Sequence, residues 1–150
     1  MITAIGLGSD FNEVIKNLIS MDYEAAEACN AALRRIENTQ LRAQIASFSE
    51  DHLRHARELS AVAHELGLEI PFKADYRQPL TNSKVMIMGL FGERAVLHAL
   101  RSNINDTKTA YERAATHDTL HPLALQAIHR GLADQRRHKV WIEAIMSAKQ

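Results

Sequence analysis

The chain has one cysteine, three prolines and six glycines, its aromatic fraction is only 5%, and its charges cancel. Cys29 alone can form no internal disulfide, so the core must hold without covalent cross-links. With 46% hydrophobic residues and so few aromatics, that core is built from Ala, Leu, Ile, Val and Met, a composition that favours helices over sheets and is too apolar for disorder. Eighteen Lys+Arg balance eighteen Asp+Glu, which leaves no basic footprint for nucleic acid. No stretch approaches the ~18 consecutive apolar residues of a membrane span. Met1 to Asp10 carries no cationic region followed by a long apolar run. The expectation is a cytoplasmic protein of a reducing compartment, with neither nucleic acid nor membrane as partner. Its 150 residues suit one domain, residues 1–150, which at this size buries roughly 70% of the surface of the unfolded chain.

What is present is helical periodicity. The prolines and most of the glycines fall between periodic segments, which divides the chain into four blocks. The first helix is expected from Ser9 or Asp10, a good N-cap, to about Ile36. The second runs from Asn38 or Thr39 to Leu66, with Gly67 as its stop. Leu68 to Ser83 carries Pro71 and Pro79 without a sustained period, and its ~16 residues reach about 50 Å if extended, enough to cross a bundle. A third helix from about Lys84 to Thr116 and a fourth from Pro122, suited to a first helical turn, to Ala148 complete the set. Short links outside and a long link in the middle give the connectivity of ferritin-like bundles. The fold class predicted is therefore all-α, a ferritin-like four-helix bundle with a long crossover between helices two and three. The two halves share only the scheme helix, turn, helix, which is too generic to indicate duplication.

Core positions recur at alternating steps of three and four residues. In helix two this stripe reads Leu41, Ile45, Phe48, His52, His55, Leu59, Val62, Leu66, with both histidines central. Helix one reads Phe11, Ile15, Leu18, Asp22, Ala25, Cys29, Ala32, Ile36, so a carboxylate sits near its middle. Helix four reads Leu125, Ile128, Leu132, Gln135, His138, Ile142, Ile145. Helix three, Leu90, Glu93, Leu97, Leu100, Ile104, Thr107, Tyr111, Ala114, reads as apolar at its centre. Helices of similar length packed side by side bring Asp22, His52, His55, Gln135 and His138 to one layer. An isolated buried imidazole or carboxylate costs several kcal/mol by order of magnitude, and a divalent transition metal would satisfy these groups together. The plainer alternative is a buried hydrogen-bond network completed by water. His64, His98, His117, His121 and His129 lie off the stripes or near helix ends, where surface or capping roles account for them.

These residues also carry a resemblance. Leu18-Ile19-Ser20-Met21-Asp22 through Tyr23-Glu24-Ala25-Ala26, then Phe48-Ser49-Glu50-Asp51-His52-Leu53-Arg54-His55 with Leu59 and Leu66-Gly67, resembles a bacterial family of ferritin-like four-helix-bundle domains with no assigned activity. The likeness extends through Leu97, Asn103 and Ala110-Tyr111-Glu112 to Gln135-Arg136-Arg137-His138, and covers about Asn12 to Ile145. It implies comparison with ferritins and rubrerythrins, which hold two irons with a Glu from each of two helices and Glu-x-x-His from each of the other two. Here the corresponding places read His52-x-x-His55 and Gln135-x-x-His138. The Glu position of helix three would be Ile104, and on helix one the nearest inward acid is Asp22, unless rotation brings in Glu24 or Glu27. Glu93 is about 16 Å from Ile104 along the axis and belongs to another level.

Charge decides between one ion and two. Two ferrous ions against one inward carboxylate leave about +3 in a dry core, whereas one divalent ion with neutral imidazoles leaves about +1. The cofactor expected is one divalent transition metal, Zn, Fe, Ni or Cu. The alternative is a non-catalytic structural or interaction module, a homodimeric helical bundle with a vestigial metal site. For that reading the run Val85-Met86-Ile87-Met88-Gly89-Leu90-Phe91, apolar on every face, is either core cover or a dimer patch. An oxygen-activating enzyme using inward Tyr111 is a third reading, disfavoured by the missing carboxylates. Cys29 reads as a buried thiol rather than a nucleophile.

Overall fold

The computed structural model describes residues 10–69, 87, 92–117 and 121–148. These form four α-helices, α1 (Asp10–Leu33), α2 (Thr39–Glu65), α3 (Glu93–Ala115) and α4 (Pro122–Ala148), with no strand among the described residues. The longest, α2 and α4, have 27 residues each and span about 40 Å. None of the described helices is long and apolar enough to cross a membrane.

Local chemistry sets the ends. Asn38 caps α2, its side-chain oxygen accepting from the Leu41 amide at 2.9 Å. At the other end Gly67 takes φ 73°, and the amides of Gly67 and Leu68 bond back to the carbonyls of His64 (3.1 Å) and Ala63 (2.9 Å), the double bond of a Schellman stop. Pro122 opens α4, and the His121 ring accepts from the Leu123 amide at 3.1 Å. That is a capping role for an off-stripe histidine. Helix α1 stops at Leu33, three residues before the expected Ile36. The Arg42 guanidinium of α2 donates to the carbonyls of Leu33 and Ile36, satisfying oxygens that another helical turn would have used.

Helix α3 is shorter than expected. It begins at Glu93 rather than near Lys84, because Gly92 adopts φ 91°, a left-handed conformation that a right-handed helix cannot continue through. Of the apolar run Val85–Phe91 only Ile87 is described, and it is buried in the core. The other residues of that run, and most of the link expected at Leu68–Ser83, lie outside the described residues.

Each helix packs mainly on two others: α1 on α2 and α3, and α4 on α2 and α3. The apolar side chains separate into two clusters. One joins Ala28, Ala32 and Ile36 to Leu41, Ile45, Phe48, Val96, Leu100, Ile104, Ile142 and Met146. The other joins Ile15, Leu18 and Ile19 to Ala56, Leu59, Tyr111, Ala124, Ile128 and Leu132. On every helix the break between the clusters is a buried polar residue: Asp22 on α1, His52 and His55 on α2, Thr107 on α3, Gln135 and His138 on α4. An apolar side chain buried at this level would contribute about 1.5–3 kcal/mol. The polar layer forgoes that gain in the most enclosed part of the bundle.

Candidate metal centre

Asp22 is fully buried, and three groups from two other helices converge on it. The Nδ1 atoms of His52 and His55 stand 3.0 Å and 3.4 Å from Asp22 Oδ1, and the Tyr111 hydroxyl donates to Oδ2 at 2.5 Å. His52 and His55 reach one oxygen because residues three apart share a helix face. Burial works against ionising Asp22, but the hydrogen bonds and charge of His52 and His55 outweigh it and hold the carboxyl below its usual range. Burial pushes the Tyr111 phenol well above its ordinary value, and the Asp22 charge adds to this, so Tyr111 stays protonated and donates. Its contribution corrects the expectation of a purely apolar centre on α3. Gly131 of α4 makes room for it: a Cβ there would lie 2.4 Å from Tyr111 Cε1.

The outer side of the layer is a paired arrangement between α2 and α4. Asp134 Oδ2 lies 2.8 Å from His55 Nε2, and Asp51 Oδ2 lies 2.9 Å from His138 Nε2. Each aspartate thus holds the histidine of the opposite helix. Arg54 joins both aspartates, at 3.0 Å to Asp51 and 2.5 Å to Asp134. Arg137 does the same, at 2.7 Å and 3.0 Å respectively. The underlying sequences match in register: Asp51-His52-Leu53-Arg54-His55 and Asp134-Gln135-Arg136-Arg137-His138 share Asp, Arg and His at the same spacing. Two antiparallel copies of one short pattern produce the reciprocal pairing.

The pairing settles how each ring can serve. His55 has a carboxylate at both nitrogens. Burial lowers its pKa, but the bonds to Asp22 and Asp134 prevail and raise it; in its doubly protonated form the ring donates to both. Protonated at Nε2 alone, it keeps Asp134 and turns a lone pair at Nδ1 toward Asp22, as a metal-binding histidine backed by a carboxylate does. His138 is pushed down to about 4 by burial and by the neighbouring His52, and is neutral near pH 7. Its Nε2–H donates to Asp51, while its Nδ1 is buried with no partner among the described residues. Phe48 stacks on its ring at a centroid distance of 3.9 Å. Burial opposes ionisation of Asp51, yet the bonds from His138 and Arg137 bring its pKa down to about 2.

Of the five residues singled out from the sequence, all are buried. Asp22, His52 and His55 offer ligand atoms that all lie within 4.8 Å of one another, a group able to hold a metal ion. Two of the three donor separations fit: ligands 2.0–2.1 Å from a tetrahedral ion stand about 3.3 Å apart, against the 3.0 Å and 3.4 Å found around Asp22 Oδ1. His138 is not in that group, although its ring centroid is 5.2 Å from that of His52. Neither atom of the Gln135 amide has a hydrogen-bond partner among the described residues. Stripe reasoning missed Asp51 and Asp134, which sit one residue outside the inward line; the shared Asp-x-x-Arg-His spacing was the signal for both. Glu24 and Glu27, the acids that a rotation of α1 would turn inward, are only half-buried. A pocket of about 350 Å³ between α1 and α3 includes Met21 and Ala110, the chain neighbours of Asp22 and Tyr111, in its lining, but Asp22, His52, His55 and Tyr111 themselves do not line it. Compared with protein-family models, with curated proteins and with solved structures, the chain matches none.

Proposed function

We propose that this protein is a ferritin-like bundle that binds one divalent transition metal through Asp22, His52 and His55. The observation that carries the reading is the convergence of one carboxylate and two imidazoles, fully enclosed, with His55 braced from behind by Asp134. Charge supports a single ion. Arg54 and Arg137 offset Asp51 and Asp134, so Asp22 is the uncompensated acid, and one divalent ion leaves about +1 where two would leave about +3. Bound there, the metal would supply a Lewis-acid or redox centre; the chain's own part is to orient the ligands and exclude bulk water. Ferritin-like connectivity is supported by the packing of the ends: α2 finishes in the cluster of Leu59 and Ala63, while α3 begins in that of Val96 and Leu97.

Metal content decides the matter. Protein loaded with Zn, Ni or ferrous ion at neutral pH, freed of excess and analysed by elemental mass spectrometry, should carry about one ion per chain and melt at a higher temperature, since a ligand of the native state stabilises it. His52→Ala and Asp22→Asn should lose the ion. Well under one ion per chain with an unchanged melting temperature refutes the reading, and two ions per chain refutes the single-site form.

A second reading rests on Asp22 being already saturated by His52, His55 and Tyr111. On that account the layer fixes helix register and height, as buried polar groups do in some bundles. It expects the refuting outcome above, together with a cooperative native fold in chelator.

A further inference from the structure

The two halves of the layer are alike in construction and unlike in occupancy. On α2, Asp134 fixes His55 through Nε2, and the free side of that ring faces Asp22 at 3.4 Å. On α4, Asp51 fixes His138 through Nε2 in the same way, and the free side of that ring, Nδ1, meets no partner among the described residues. Gln135 holds the place on α4 that His52 holds on α2, and both its Oε1 and its Nε2 are unpartnered at zero exposure. A buried polar atom left unmatched costs about 1–3 kcal/mol. Three such atoms lie on neighbouring turns of one helix, and the ring that carries one of them, His138, has its centroid 5.2 Å from that of His52; they call for something that answers all of them.

The chemistry of those atoms specifies what it is. His138 Nε2 lies 2.9 Å from the Asp51 carboxylate and carries the proton of that bond, so in the single-proton form of the ring Nδ1 is a lone pair and accepts. Gln135 Oε1 also accepts, and Gln135 Nε2 donates. A metal ion satisfies no donor, so an ion alone cannot complete the set. An anion without a proton satisfies neither acceptor. A small molecule bearing O–H groups answers all three atoms, and water is the smallest of these. Asp22, His52 and His55 provide three protein ligands, the number that leaves a transition metal with an open position.

We propose that Gln135 and His138 are not metal ligands but the seat of a small hydroxylic ligand, of water size, that completes the coordination of the ion. This rests on the metal reading above and makes the centre an open, ligand-exchanging one rather than a closed structural one. Gln135 and His138 act through hydrogen bonds to that ligand, and Phe48, stacked on His138, holds that ring in its orientation.

Pulsed electron paramagnetic resonance of the copper-loaded full chain, prepared in H₂O and in D₂O, tests this. The remote nitrogens of coordinated imidazoles and the deuterons of coordinated water give separate modulations. The expected result is two coordinated imidazoles plus an exchangeable coordinated water. Gln135→Leu should leave the copper count and the two imidazoles unchanged and reduce the deuteron modulation to less than half. Three coordinated imidazoles without exchangeable water would make His138 a ligand and overturn the proposal while leaving the metal reading intact. Failure to bind copper, zinc, nickel or ferrous ion would overturn both. Should Gln135→Leu not fold, the imidazole count and water signal of the unaltered protein decide the question by themselves.

Discussion

Adding one methyl group at Gly131 tests how Asp22 is held. An alanine Cβ there would meet three atoms of the Tyr111 ring, Cε1 at 2.4 Å, Cζ at 3.0 Å and Cδ1 at 3.1 Å. The obstacle is the body of an enclosed aromatic ring rather than the tip of a flexible chain, and overpacking of this kind costs about 1–3 kcal/mol. Any ring shift that relieves it also stretches the 2.5 Å bond from the Tyr111 hydroxyl to Asp22, and a hydrogen bond to a charged group contributes about 1.5–3 kcal/mol. Alanine is the better helix former by about 1 kcal/mol. Gly131→Ala should therefore lose roughly 3 kcal/mol, equivalent to a fall in melting temperature of about 6–12 °C at this chain length. Thermal and urea denaturation measure it directly. The double variant with Tyr111→Phe sharpens the reasoning, because the hydroxyl is then absent and the bond can be lost only once. The two costs should fall short of additivity by about 1.5–3 kcal/mol. A Gly131→Ala protein as stable as the original, or more stable, would mean that Tyr111 retreats freely and that its bond to Asp22 does not hold the layer together.

Other consequences are equally accessible. Replacing Asp134 with Asn removes the carboxylate behind His55 and should weaken metal binding about 10–100-fold while leaving one ion per chain at saturation; an unchanged affinity measured calorimetrically would deny Asp134 that role. Asp51, lowered from 3.8 to about 2 by its folded surroundings, contributes about 2 kcal/mol by linkage. Because its folded value is the lower one, that stability is present above pH 4 and disappears as pH falls toward 2. Urea titrations of the protein and of Asp51→Asn should accordingly converge across that interval, and curves that stay parallel would contradict the assignment. Cys29, buried and pushed up to about 12 by burial and by the Asp51 charge, should resist thiol reagents at pH 8 until denaturant is added. Rapid stoichiometric labelling of the native protein would count against a core position.

Legibility followed the range of each interaction. Helix starts and stops were readable where a single side chain or glycine makes them, as at Asn38, Gly67 and Pro122. They were misread where a distant group intervenes. Arg42 reaches across a turn to the carbonyls that end α1, and Gly92 interrupts a pattern whose apolar content continues on both sides of it. The inward stripes located five buried polar residues, because a period of 3.6 assigns each residue a face within its own helix. The same rule hid Asp51 and Asp134, which stand at the edge of the stripe and become inner-layer groups only through an antiparallel neighbour.

Composition and periodicity alone therefore determined an all-helical chain with acid and imidazole at the enclosed face of its central turns. The tertiary structure decided which of those groups meet: Asp22 with His52, His55 and Tyr111, and Asp51 and Asp134 each with the histidine of the opposite helix. These partners are separated by 30 to 89 positions in the chain. Their contact depends on the relative height and rotation of whole helices, which packing sets and no single helix encodes.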